Sequence, residues 1–461
     1  MMSPIIDRFV RARRVVRTTT ITMGMAAGLA ACQSSPHASS DVLNSAEPLH
    51  EAMQELTNTM VYDIFSPPQA SRVYSYASIA GYEALRYGDT TWRSLAGQVR
   101  NMPAVPAPEP SKEYSWALAG MRAFLTVSHQ LTFSRERMDS VRSAMTERYA
   151  DGLSDDVYAR SVAYGDTVAR HVLAWAGTDQ FKESRGLPKF SITRQPGRWV
   201  PTPPAYMDAV EPNWGTLVPF AMDSSSQFRP APAIPFDSTK GTAFHTQALE
   251  VYEKGKTLTD EEKAIASFWD CNPYVMNVQG HTMFATKKIT PGGHWMGIVG
   301  IASRKAKATP LQTMDAYMRT AMALADGFIA AWEEKFRSGV IRPETVINAY
   351  VDEKWMPLLQ TPPFPEYPSG HSVISTAAAE VLTSIYGANF AFADSSEVPY
   401  GLPVRSFSSF EAAANEAAIS RLYGGIHYRQ AIEEGQKQGR QVGQHLVAKV
   451  ITRPGTSLAA R

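Results

Sequence analysis

The chain has 461 residues, carries 45 Lys and Arg against 44 Asp and Glu, and is 44% hydrophobic; that composition excludes a disordered or collagen-like chain and supplies no field for a polyanion, so no nucleic-acid partner is expected. Two cysteines build no disulfide framework, and no run of about 20 apolar residues, the length a spanning helix needs, lies in the body of the chain.

Residues 1–32 read as an export signal. Arg8, Arg11, Arg13, Arg14 and Arg17 precede a short, mildly apolar stretch from Thr18 to Ala31, too short to span a bilayer. The stretch ends in Leu29-Ala30-Ala31-Cys32, which resembles the lipobox of bacterial lipoproteins, where the cysteine becomes the lipidated N-terminus. The expectation is an exported lipoprotein facing the periplasm or the cell surface, touching membrane only through that anchor. A cleaved signal with an incidental cysteine is the alternative. Gln33, by the same likeness, does not signal inner-membrane retention. Residues 33–45 are small and polar, as a flexible tether would be, and 46–455 read as a single helical domain. Only Cys271 then remains, by default a buried thiol.

Apolar residues recur at three- and four-residue spacing over 48–65, 68–87, 113–128 and 132–177, with no convincing strand alternation. Ten prolines between Pro188 and Pro235 make 186–243 a long irregular connection. Helical spacing resumes over 242–256, 259–286, 311–336, 372–386, 409–423 and 427–451. The fold class is all-α, as one domain of packed helices or two bundles joined by the proline-rich connection. His50, His129, His171, His245 and His445 stand singly and read as structural. His281 and His294 flank a loop containing Gly292 and Gly293; they too read as structural, with a substrate wall as the alternative.

The last third carries a different signal. Met314, Tyr317, Met318, Ala321, Met322, Ala325, Phe328, Ile329, Trp332 and Phe336 form one apolar stripe. Lys335 lies beside the stripe near its end, and seven residues on comes Arg342 before Pro343, which favours an extended backbone at Arg342. Pro368-Ser369-Gly370-His371 leads into a small-residue helix. A turn of this kind at a helix start points free backbone N–H groups at an anion; Ser369 adds a hydroxyl, and His371 sits where an acid or base reaches it. Ser420-Arg421 ends a helix, Gly424 and Gly425 break it, and His427 opens the next. Lys335, Arg342, Arg421, Ser369, the Gly370 amide and two histidines suit a tetrahedral oxyanion of charge about minus two. Burying three cations together without that anion is very costly.

These three pieces, Lys335-x6-Arg342-Pro343, Pro368-Ser369-Gly370-His371 and Ser420-Arg421-x5-His427, resemble the tripartite motif of the superfamily of vanadium-dependent haloperoxidases and type 2 phosphatidic-acid phosphatases. Trp269-Asp270 with Asn272-Pro273 and the stretch Thr361–Pro368 are similar to exported, bacterial iodoperoxidase-type haloperoxidases. Phe364 stands where chloroperoxidases have Phe and algal bromoperoxidases have His. The resemblance implies vanadate held by Lys335, Arg342, Ser369, Gly370 and Arg421, with His427 as its single protein ligand; phosphate can occupy the same site. It also implies His371 as acid–base partner, Lys335 polarising hydrogen peroxide, and a halide oxidised to hypohalous acid. Trp332, Phe364 and Tyr274 are candidates for an aromatic wall at the halide pocket, with Asp270 close by.

One position departs from the fullest motif: Asp is expected four residues after the histidine, and the chain has Ala431. The resemblance therefore leaves two rivals, an exported acid phosphatase with His427 as nucleophile and His371 as leaving-group acid, and an oxyanion-binding lipoprotein without turnover. Ala431 favours the peroxidase, because a metal bond depends less on that carboxylate than nucleophile activation does. Iodide is the expected halide, with bromide next. Related enzymes often dimerise, which leaves a homo-oligomer open.

Overall fold

Local start signals set most of the helices. The computed structural model describes residues 39–279 and 281–453; the signal segment 1–32, Cys32 and the first part of the tether lie outside the described residues. In chain order the helices are α1 (Ser39–Asn44), α2 (Glu47–Tyr62), α3 (Pro67–Leu85), α4 (Trp116–Leu131), α5 (Arg135–Glu147), α6 (Asp155–Ala176), α7 (Phe181–Ser184), α8 (Ala243–Lys256), α9 (Asp260–Phe268), α10 (Pro291–Lys305), α11 (Pro310–Ser338), α12 (Pro343–Tyr350), α13 (Gly370–Tyr386), α14 (Phe410–Tyr423) and α15 (Arg429–Lys449). A Ser or Thr side chain accepts a backbone N–H at the start of α3, α4, α6, α8, α9, α10, α11, α13 and α14, each cap contributing about 1 kcal/mol. No helix among the described residues is long and apolar enough to cross a membrane.

Several predicted spans are corrected. The stretch 132–177 is two helices, α5 and α6, broken at residues 148–154. The stretch 259–286 is helical only through α9; it continues as an antiparallel hairpin of β1 (Met276–Gln279) and β2 (Thr282–Ala285). A second small hairpin pairs β3 (Phe392–Asp394) with β4 (Arg405–Phe407), so strands are present, though the fold is helical. Gly292 and Gly293 lie in the first turn of α10, capped by Thr290, not in a loop. The predicted tether turns helical from Ser39, and Val42 and Leu43 pack against the core.

The described residues form one compact unit. The main apolar cluster runs from Leu49 through the stripe of α11 to Val450, so the helices before and after the proline-rich connection share a core. Helix α11 is its axis: buried along most of its length, started by a Thr309–Gln312 capping box and stopped by Gly339 in the left-handed region. The proline-rich segment is laid over this helix. Buried Asp326 of α11 accepts the backbone N–H groups of Phe220, Ala221 and Met222 at 2.6, 2.8 and 3.2 Å, and Trp332 Nε1 donates to the Val210 carbonyl at 3.2 Å.

Helix α15 closes against α13 through Gly435, Gly439 and Gly443, one every four residues on one face. A Cβ at these positions would stand 2.9 Å from the Ser369 carbonyl oxygen, 2.2 Å from that of Val373 and 2.8 Å from that of Ala377. The helices therefore meet backbone to backbone, and α15 presses on the Pro-Ser-Gly-His turn. Gly439→Ala is expected to force them apart, costing about 1–3 kcal/mol and weakening anion binding at the turn; urea unfolding together with phosphate titration measures both.

Candidate active site

The end of α11, the 357–368 loop, the start of α13, the end of α14 and His427 converge on one cavity. It offers about 30 Å³ of room to water and is lined by Trp332, Phe364, Gly370, His371, Arg421 and His427, among others, so the second and third sequence motifs meet there, and Arg342 of the first stands behind His427, 3.2 Å from its Nε2. A larger cleft of about 550 Å³ opens elsewhere, beside His50, Tyr317 and Arg304, and holds none of the motif residues.

Lys335, Arg342 and Arg421 are all buried. Arg342, in extended backbone at the start of α12, donates from Nε to the Phe364 carbonyl at 2.8 Å and from Nη1 to the Ile426 carbonyl at 2.8 Å. Its Nη1 also lies 3.2 Å from His427 Nε2, while its buried Nη2 has no partner. Arg421 donates to Ser420 Oγ at 2.9 Å and to the Trp269 carbonyl at 2.7 Å. Lys335 Nζ donates to the carbonyls of Pro365, Glu366 and Pro368 at 3.0, 3.0 and 2.5 Å. Its three N–H groups thus clamp the loop, and its charge acts from beneath Phe364, whose ring centroid lies 5.2 Å from Nζ. Ser369 caps α13, accepting the Ser372 N–H at 3.4 Å, and keeps its own hydroxyl proton to donate.

Burial pushes all three cations down. Lys335 falls well below its ordinary range, with Arg342 adding and Glu366 opposing. Arg342 is lowered to about 10 despite Glu366, and Arg421 is lowered despite Asp270. Both histidines are driven well below their ordinary value by burial first, then by the arginines, so each is a neutral imidazole at pH 7. His371 Nε2 is buried without a partner.

The carboxylate nearest His427 was not anticipated: Glu366 Oε1 lies 2.8 Å from Nδ1 and accepts the Tyr428 N–H at 3.0 Å. The residue stands in plain view in the loop, but its partner lies 61 residues on and no spacing rule links them. Ala431 contributes its carbonyl, which accepts the Ser369 N–H at 2.9 Å.

The surrounding residues were partly anticipated. Trp332 and Phe364 meet at 4.9 Å between ring centroids and, with Tyr274, line the cavity. Asp270 also lines it and pairs with Lys288 at 2.5 Å. His281 is exposed on its hairpin. His294 is buried in α10, with Nε2 2.8 Å from Asp394 and Nδ1 3.0 Å from Glu397 and 3.3 Å from the Cys271 sulfur. Burial alone would lower His294, but Asp394 outweighs it and holds the ring well above its ordinary value. This cluster is thus an imidazolium between two carboxylates, stacked at 4.5 Å on Trp269. Cys271, raised to about 11 by burial and Glu397, is an unreactive thiol.

Vanadate fits this donor set. Three cations are buried around it with less negative charge than their desolvation calls for, the Arg342 Nη2 donor is unmatched, and the neutral ring of His427 lines the cavity. Fold and site together define a helical enzyme built around an oxyanion pocket. The profile of the VCPO second helical-bundle domain matches residues 315–453, which hold all three motifs. The chain is 46% identical to the first bacterial vanadium-dependent iodoperoxidase of known crystal structure, with a TM-score of 0.84 over 89% of this chain and 97% of that one. The holo and apo forms of a bacterial vanadium-dependent chloroperoxidase, each 18% identical, share the fold with TM-scores of 0.62 and 0.60, covering 84% and 82% of this chain and 93% and 92% of theirs. No curated protein matches. The chain belongs to the vanadium-dependent haloperoxidase family.

Vanadate at about 100 times its Kd is expected to stabilise the folded protein by about 2.7 kcal/mol. Arg342→Ala should lose that increment. Thermal melting with and without vanadate reads it, and an undiminished increment in the variant would remove Arg342 from the anion site.

Proposed function

We propose that the protein oxidises iodide with hydrogen peroxide to hypoiodous acid, using vanadate held at this cavity. The observation that carries the reading is the ring of three buried cations around two neutral histidines, with Arg342 Nη2 and His371 Nε2 unmatched. Iodide is favoured over other halides because it is the easiest to oxidise, because aromatic faces line the cavity, and because the 46% identical structure is an iodoperoxidase.

Arg342, Arg421, Ser369 and the start of α13 would hold the vanadate oxygens, and His427 Nε2 would donate to vanadium. Bound there, vanadate supplies a Lewis acid that activates peroxide without changing oxidation state. The chain's own groups do the rest. Neutral His371 takes a proton from hydrogen peroxide at Nε2 and returns it to the leaving oxygen. Lys335, fixed by three carbonyls, adds positive potential where negative charge develops. Trp332 and Phe364 narrow the entrance and limit water. The overall change balances as H₂O₂ + I⁻ + H⁺ → HOI + H₂O: iodide loses two electrons and the O–O bond takes them.

The test uses purified protein stripped with chelator and divided into samples with and without vanadate. Iodide oxidation should appear only with vanadate and vanish in His427→Ala. Hydrolysis of a chromogenic phosphate ester without metal, inhibited by vanadate and without halide oxidation, would instead establish the phosphatase. Binding with neither turnover would establish the oxyanion carrier.

We further propose that the chain is exported and anchored through a lipidated Cys32, supported by the arginine-rich start and the Leu-Ala-Ala-Cys sequence. Cys32→Ser expressed in a Gram-negative host should move from the membrane fraction to the soluble one, read by fractionation. Retention of the variant in the membrane fraction would remove Cys32 as the anchor.

A further inference from the structure

We propose that Glu366 is the positioning residue that sets the tautomer and ring plane of His427, so that Nε2 faces the anion cavity as a lone pair. The proposal rests on the reading of this cavity as the vanadate site, yet its first test does not require vanadate.

A neutral imidazole carries one proton, and its neighbours decide on which nitrogen. On one side of His427, Glu366 Oε1 lies 2.8 Å from Nδ1 and already accepts the Tyr428 N–H at 3.0 Å; burial pushes this carboxyl up to about 7, but a proton it takes goes to Oε2, so Oε1 stays an acceptor and needs a donor. On the other side, Arg342 Nη1 lies 3.2 Å from Nε2 and cannot accept. Only the tautomer with the proton on Nδ1 satisfies both contacts. The opposite one would set N–H against N–H at Arg342 and lone pair against carboxylate at Glu366. Arg342 alone disfavours a proton on Nε2 but does not hold the ring; Glu366 supplies the directional bond.

Glu366 is itself held rigidly. Its N–H donates to the Val340 carbonyl at 2.9 Å, its carbonyl accepts Lys335 Nζ at 3.0 Å, and the oxygen that takes His427 also takes the Tyr428 N–H at 3.0 Å. Through one residue the loop therefore couples the cation at the end of α11 to the histidine before α15. The first turn of α15 offers no substitute: Ala431 presents only a methyl side chain, and its carbonyl is engaged by Ser369. A bond of this kind to a metal-binding histidine is worth about 10- to 100-fold in metal affinity.

The experiment is ¹⁵N NMR of histidine-labelled protein without vanadate, followed by titration with vanadate. In the parent chain His427 should show an unprotonated Nε2 and a protonated Nδ1. Glu366→Ala should give the other tautomer or a mixture and bind vanadate about 10- to 100-fold more weakly. Glu366→Gln, which keeps an acceptor oxygen, should restore the tautomer and most of the affinity; it also carries the test if the alanine variant does not fold, since Glu366→Leu can then be compared with it at matched melting temperature. An unchanged tautomer in both Glu366→Ala and Glu366→Leu overturns the proposal, whether or not vanadate binds. A parent chain with the expected tautomer but no vanadate affinity would instead overturn the vanadate reading and leave the tautomer result standing.

Discussion

Three cations buried around one cavity are the constraint on which the rest depends. Lys335, Arg342 and Arg421 are withdrawn from water, and desolvation lowers all three more than the nearby carboxylates restore. Such a cluster persists only where the chain around it is over-determined. Carbonyl oxygens supply much of that support: those of Pro365, Glu366 and Pro368 take Lys335, those of Phe364 and Ile426 take Arg342, and that of Trp269 takes Arg421. Prolines keep this loop out of helix and sheet, so its carbonyls are free for the cations. Backbone dipoles temper the positive charge without cancelling it, which leaves the cavity selective for an anion.

The same economy explains why the motifs were legible and other parts were not. Lys335, Arg342, Ser369, His371, Arg421 and His427 fall at fixed spacings because each sits at a helix end, where local chain geometry decides its direction. Arg342 before Pro343 read as extended, and it is. Glu366 lies within the 361–368 loop, but its significance is a contact 61 residues away that no local rule contains. Lys335 shows the same limit: the pattern shows a cation, not the carbonyls that take its protons.

Errors in the fold have equally specific causes. Residues 276–285 carry Met, Val and Phe at spacings that a helix also allows, so the spacing does not separate a hairpin of four-residue strands from the end of a helix. Gly292 and Gly293 suggested a loop, yet tertiary packing overrides their low helix propensity: a Cβ at Gly293 would stand 3.0 Å from the Tyr74 hydroxyl. Gly435, Gly439 and Gly443 passed unremarked inside a helical pattern, although their four-residue spacing is what brings α15 onto the backbone of α13.

A second layer holds the cavity from behind. Trp269 ends α9, and its carbonyl takes Arg421 at 2.7 Å and also meets His371 through a backbone hydrogen bond. The ring of that same residue is pinned on two sides: Nε1 donates to Glu416 at 3.1 Å, and one face stacks on His294. His294 is fixed in turn by Asp394 and Glu397, on the segment that β3 begins. The small hairpin of β3 and β4, with no motif residue of its own, thus sets the plane of an imidazolium, the imidazolium sets the indole, and the backbone carbonyl of that tryptophan sets the cation and the base that face the anion. The His294 cation sits against Asp394 and Glu397, yet its charge still reaches the cavity and, after burial and Arg421, helps hold His371 below its ordinary value. Orientation and charge are both transmitted from this layer, so the pocket is held rigid and its base is kept neutral by the same residues.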